Sequence, residues 1–178
     1  MDSDARSPVT YAVAGLIAMA VAMGIGRFVY TPILPGMMDG LGLSASDAGL
    51  IASANYAGYL AGAILAAGNW GQGRERAVAM AGLAASAILA AAMGLTESVA
   101  LFLVIRFLAG VASAFVMIFL STIIFSRLAA GGRNDLQAWH FGGVGAGIAV
   151  SSVMTGALLL VGAEWQASWL WSGVLSVA

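Results

Sequence analysis

Five apolar runs, each long enough to cross a bilayer, and a sixth that opens near the end of the chain leave one class of fold. A helix rises about 1.5 Å per residue, so roughly 20 apolar residues span the roughly 30 Å of hydrocarbon. The complete runs cover about 9–37, 48–67, 77–95, 99–125 and 138–161. The last, 165–178, holds about 14 residues, or roughly 21 Å of helix, too short to cross. The expected fold is an all-α integral membrane bundle of six transmembrane helices with the last one incomplete. The expected domain is a single bundle over 1–178, cut short by truncation.

Composition supports a lipid environment. Hydrophobic residues make up 61% of the chain and charged residues 8%, against about a quarter charged in soluble domains. The net charge of −1 leaves no basic face for nucleic acid. The absence of cysteine excludes disulfides, thiolate metal sites and cysteine nucleophiles. A single histidine assembles no metal site, and the scattered methionines and phenylalanines read as packing, so no cofactor is expected. The leader carries Asp2 and Asp4 against Arg6, unlike the basic start of a signal peptide, and the first run is too long for a signal core. It reads as a retained span.

Charges in the connections give an orientation. Arg6, Arg74, Arg76, Arg127 and Arg133 fall in the amino terminus and the second and fourth connections. The first, third and fifth connections hold Asp39, Asp47, Glu97 and Glu164 and no arginine. Arginine-bearing loops stay cytoplasmic, so the amino terminus is expected inside, in a bacterial inner membrane.

Small residues let helix backbones approach in lipid. The second run carries Ala54, Gly58, Gly62 and Ala66 on one stripe, and the fifth carries Gly143, Gly147, Ser151 and Thr155. Two readings fit: packing inside this bundle, or contact with a second bundle outside this chain.

Two arginines lie within the spans, at an insertion cost of at least about 2.5–3.5 kcal/mol each. Arg27 falls about 18 residues into the first run and Arg106 about seven residues into the fourth, which places both in the outer half. Asn55 of the second run falls at comparable depth, with Tyr59 one turn deeper on the same side. With no carboxylate inside the five complete runs, the counter-groups are water, Tyr30, Tyr56 or Tyr59, backbone carbonyls, a carboxylate outside this chain, or an anionic ligand. A guanidinium fork suits carboxylate or phosphate. The other reading has Arg27 reaching to the headgroups while Arg106 braces carbonyls. His140, at the inner end of the fifth run, suits either a proton relay or a ring wetted at the interface.

Several segments carry a family resemblance. "GIGRFVYTPILPGM" (24–37), "NYAGYLAGA" (55–63), "RFLAGVASAF" (106–115), "HFGGVGAGIAVS" (140–151) and "WLWSG" (169–173) resemble the YbfB/YjiJ-like family of the major facilitator superfamily. The resemblance implies two six-helix bundles and transport by alternating access around a midplane cavity, with this chain as the amino-terminal bundle. Its partners would be the lipid bilayer, a small-molecule solute, and the missing carboxy-terminal bundle or a second copy. Arg106 then corresponds to the superfamily's fourth-helix arginine, associated with proton coupling or substrate contact. Gly58, Gly62, Gly143 and Gly147 become candidates for packing between bundles. In the second connection only Gly73 and Arg74 fit the superfamily's motif, and Trp70 stands where its aspartate is usual. The fifth run lacks the proline of antiporter versions.

The expected function is secondary transport of a small polar or anionic solute, coupled to protons, and not catalysis. Arg27, Tyr30, Asn55, Tyr59 and Arg106 are the expected solute residues, and Arg106 and His140 the candidates for proton coupling. The alternatives are a self-assembling six-helix carrier or structural membrane protein, and an intramembrane serine hydrolase. The hydrolase would need Ser113 near His140, and the chain has no Gly-x-Ser-Gly stretch.

Overall fold

The computed structural model describes residues 7–177. Asp2, Asp4 and Arg6 of the leader, and the final residue of the sixth run, lie outside the described residues.

The first span is interrupted. Ser7 caps α1 (Pro8–Met19), its Oγ accepting from the Thr10 amide at 3.3 Å, and Pro8 stands in the first turn, where its missing N–H costs nothing. A π-helical turn (Ala20–Ile25) and an irregular stretch, 26–29, lead into α2 (Tyr30–Leu41). The break precedes both prolines of this span, Pro32 and Pro35. Pro32 has no N–H for the Phe28 carbonyl, which takes the Thr31 amide at 3.2 Å instead, so the disturbance propagates toward Gly26. Pro35 sits inside α2, and the helix continues past residue 37 to Leu41. Gly42, at φ 63°, closes it in the left-handed conformation that glycine adopts freely.

The second span, α3 (Ala45–Ala66), starts before residue 48 because Ser44 and Asp47 form a reciprocal capping box. Then come α4 (Glu75–Met93), α5 (Val99–Phe115), a second π-helical turn (Val116–Leu120), α6 (Ser121–Ala130), α7 (Gln137–Leu160) and α8 (Trp165–Leu175). The fourth span, α5 through α6, outruns residue 125 and takes Arg127 into its last turn. Among the described residues, five helices are long and apolar enough to cross a membrane: Pro8–Leu41, Ala45–Ala66, Glu75–Met93, Val99–Ala130 and Asn134–Leu160. Their outward side chains are greasy, Leu160 being 89% exposed and Val153 74%. Water would penalise such a surface, and lipid does not.

α3 lies along α5, α1 along α7, and α4 between α5 and α8. These pairings correct one expectation. A Cβ on Gly58 would collide with the Phe107 backbone, and one on Gly62 would lie 2.9 Å from Val111 Cα. Gly110 answers from α5 against Asn55 and Tyr59. A Cβ on Gly143 would strike Leu16, and one on Gly147 would strike Ala20 and Gly24. All four glycines proposed for contact with a second bundle are spent on helices of this one. The opposite face of α7 is open among the described residues: none of them lies within 4 Å of a Cβ on Gly142, Gly145 or Gly156.

The main core gathers Val29, Tyr30, Ile33, Met37, Ile51, Phe102 and Trp169 at one end of the bundle. Trp169 is fully buried, and its Nε1 donates to Met37 Sδ at 3.4 Å. At the other end Pro8 packs against Gly131, which brings the start of α1 to the Arg127–Arg133 connection.

Candidate functional site

Where the first span breaks, its backbone carbonyls lose their helical donors. Arg106, on α5, supplies replacements: Nη1 donates to Gly26 O at 3.3 Å and Nη2 to Arg27 O at 3.0 Å. The side chain is 3% exposed. Its guanidinium carbon lies 5.1 Å from the centre of the Tyr30 ring and 5.9 Å from Trp169, distances at which an aromatic face attracts a cation. Only Nε is left without a hydrogen-bond partner among the described residues. Of the two readings of Arg106, bracing of carbonyls is the one the geometry supports. Both terminal nitrogens of its fork are committed to these carbonyls.

Asn55 and Tyr30 serve the same frame. Asn55, 2% exposed, donates from Nδ2 to the Arg106 carbonyl at 2.9 Å, a bond made possible by the close approach of Gly58 and Gly110. The Tyr30 hydroxyl donates to Ala48 O at 2.9 Å. Together these bonds tie the broken segment to α3 and α5, and buried polar groups satisfied in this way fix a single arrangement.

Arg27 differs. Its guanidinium carbon sits 4.5 Å from the centre of the Tyr59 ring and 4.7 Å from Tyr56, with Phe28 at 5.6 Å. Tyr56 and Tyr59 lie on adjacent turns of one side of α3, so the two rings flank one cation. Arg27 Nε is buried and unpartnered. The sole ion pair among the described residues is Arg133 with Asp135, at 2.7 Å, so no carboxylate neutralises Arg27.

The structure thus brings Arg27, Tyr30, Asn55, Tyr59 and Arg106 into one cluster. It divides them into a frame (Tyr30, Asn55 and Arg106) and a reachable part (Arg27 and Tyr59). Tyr56, read from the sequence only as one possible partner for charge, belongs to the reachable part and is 58% exposed. The sequence points to backbone carbonyls only in general, not to those of Gly26 and Arg27, and it gives no role to the ring of Trp169. The Gly24 and Gly26 pair ahead of Pro32 is the signal that a helix would open there.

His140 stands apart. Its Nε2 pairs with Ser121 Oγ at 2.9 Å, its ring meets Phe125 and Phe141 edge-on, and its Nδ1 points at Gly15, where a Cβ would lie 2.7 Å away. Gly15 precedes Arg27 by roughly 18 Å of helix. The side chain is fully buried, which corrects the reading of a ring wetted at the interface: glycine at position 15 leaves room for it between α1, α6 and α7. Ser113, the other half of the hydrolase alternative, donates to Gly110 O at 2.9 Å, while His140 pairs with Ser121.

The α3–α4 connection also departs from the superfamily pattern. Trp70 Nε1 donates to Leu65 O at 2.6 Å, and its ring packs edge-on against Phe115 and Phe119, with centroids 5.5 and 5.7 Å away. An aromatic clasp occupies the position where an aspartate would pair with arginine.

No curated protein and no solved structure matches the chain. The family described as "Uncharacterised MFS-type transporter YbfB" matches over residues 19–178, from the end of α1 through every element of the site. The apolar spans and the family match together make this an integral membrane protein, and the chain belongs to the YbfB-like family of major facilitator transporters.

Proposed function

We propose that the protein is a secondary transporter that moves a small anionic organic solute by alternating access, coupled to protons, in a bacterial inner membrane. The observation that carries this reading is Arg27. It is a cation at membrane depth, flanked by two tyrosine rings, with no carboxylate and no hydrogen-bond acceptor among the described residues. An unneutralised guanidinium is costly in lipid, and an anionic cargo offsets that cost while bound. Arg27 and Tyr59 contact the solute, with Tyr56 at the rim. Arg106, Asn55 and Tyr30 keep the broken segment in shape, so Arg106 acts by positioning. His140, with Ser121, is the candidate for proton movement in the other half of the bundle, since an imidazole ring can accept a proton at one nitrogen and donate one from the other. The amino terminus lies in the cytoplasm, the side on which Arg74, Arg76, Arg127 and Arg133 emerge.

A cavity for cargo needs a second wall. A further six-helix bundle, or a second copy of this one, supplies it against the open faces of α3 and α7, where Leu60 and Ile64 of α3 are 62% and 66% exposed and Gly142, Gly145 and Gly156 of α7 meet nothing. The test is uptake by proteoliposomes holding the full-length protein, under an imposed proton gradient, against a panel of labelled organic anions. Arg27→Ala is expected to abolish uptake of whichever anion the wild type accepts. Undiminished uptake in that variant refutes the proposed role of Arg27.

A further inference from the structure

The charge and the N–H groups of Arg27 have different occupants. Tyr56 and Tyr59 engage the charge through their ring faces, and cation–π attraction consumes no N–H. No hydrogen bond from the Arg27 side chain occurs among the described residues, and Nε is held without a partner. Arg106, beside it, is the reverse case: both terminal nitrogens donate to carbonyls and the side chain is sealed. The cluster therefore holds two positive charges but exposes one, in the form of an unused planar fork between aromatic walls.

We infer that the solute is an organic monocarboxylate, with its carboxylate in the plane of the Arg27 guanidinium and its apolar body against Tyr56. This rests on the reading of Arg27 as the anion-binding group. A carboxylate matches the fork with two parallel charge-assisted bonds and carries the single charge that one reachable cation balances. A doubly charged head is a poorer fit. The cost of dehydrating an ion rises with the square of its charge, and its second charge would meet only tyrosine hydroxyls, because the N–H groups of Arg106 are committed to Gly26 and Arg27. A neutral amide forfeits the ion pair. Tyr56 becomes a specificity-determining residue: it fixes the guanidinium from one side and offers its exposed ring to the body of the solute.

The experiment measures binding to purified full-length protein in detergent by titration calorimetry, using benzoate, hexanoate, benzamide and phenylphosphonate. The pH is chosen so that the phosphonate is doubly charged, and each variant is first checked for wild-type melting. Benzoate or hexanoate is expected to bind at least about tenfold more tightly than phenylphosphonate or benzamide, a difference of about 1.4 kcal/mol. Arg27→Lys, which keeps the charge and loses the fork, is expected to weaken benzoate by at least about tenfold. Tyr56→Leu is expected to weaken it by about threefold or more. If phenylphosphonate binds as tightly as benzoate in an Arg27-dependent way, the monocarboxylate class is overturned and the anion site stands. If no anion binds with any dependence on Arg27, or benzamide equals benzoate, both the class and the anion site are overturned.

Discussion

Replacing Arg106 by lysine isolates the brace from the charge. The arginine makes two charge-assisted bonds, at 3.3 and 3.0 Å, to the carbonyls of Gly26 and Arg27, and bonds to charged groups contribute about 1.5–3 kcal/mol each. Lysine retains the positive charge but is a point donor on a different stem, and it cannot span two successive carbonyls as a planar fork does. One bond is lost, so the expected destabilisation is about 1.5–3 kcal/mol. At about 2–4 °C per kcal/mol for a chain of this size, the melting midpoint falls by about 3–12 °C. The assay is thermal unfolding of the purified protein in detergent, followed by intrinsic tryptophan fluorescence, with Trp169 reporting from beside the site. A midpoint within about 1 °C of wild type would refute the argument that the break in the first span is held by this fork.

Two further outcomes follow from packing. Gly58→Val drives a side chain into the Phe107 backbone and should cost at least the about 1–3 kcal/mol typical of overpacking. A melting midpoint for Gly58→Val equal to that of wild type would contradict the assignment of this face of α3 to α5. Trp70→Leu removes a hydrogen bond to Leu65 and two edge-on aromatic contacts, for an expected loss of about 1–3 kcal/mol. Trp70→Phe, keeping the ring contacts, should lose less by the same melting assay, and identical losses would show that the clasp is not aromatic.

Depth was legible in the sequence and direction was not. Helical rise makes height linear in residue number, so Arg27, Asn55 and Arg106 fall at one level, with Tyr59 one turn away. Which of them faces a cavity depends on backbone groups that carry no letter of their own. The partners of Arg106 are carbonyls released where Gly24, Gly26 and Pro32 spoil the helix together, and no side-chain pattern spells out a free carbonyl. Small-residue spacing failed in a related way. Gly58 and Gly62 mark a contact face, but the same stripe serves a neighbour in the bundle or one outside it, and only the fit to Phe107 and Val111 decides. His140 stands in the first turn of α7, as the start of the fifth run implies. Its burial hinged on Gly15, more than a hundred residues away in sequence and unremarkable there.

The division of labour between the two arginines is tested most directly by arginine-specific modification with phenylglyoxal on the folded wild-type protein, read peptide by peptide by mass spectrometry. Arg27, flanked by rings but donating to nothing, should be modified at least about tenfold faster than Arg106, whose nitrogens are bonded and whose side chain is sealed. Equal rates, or faster reaction at Arg106, would contradict the account: the buried fork would then be the reachable cation, and the site would have to be rebuilt around it.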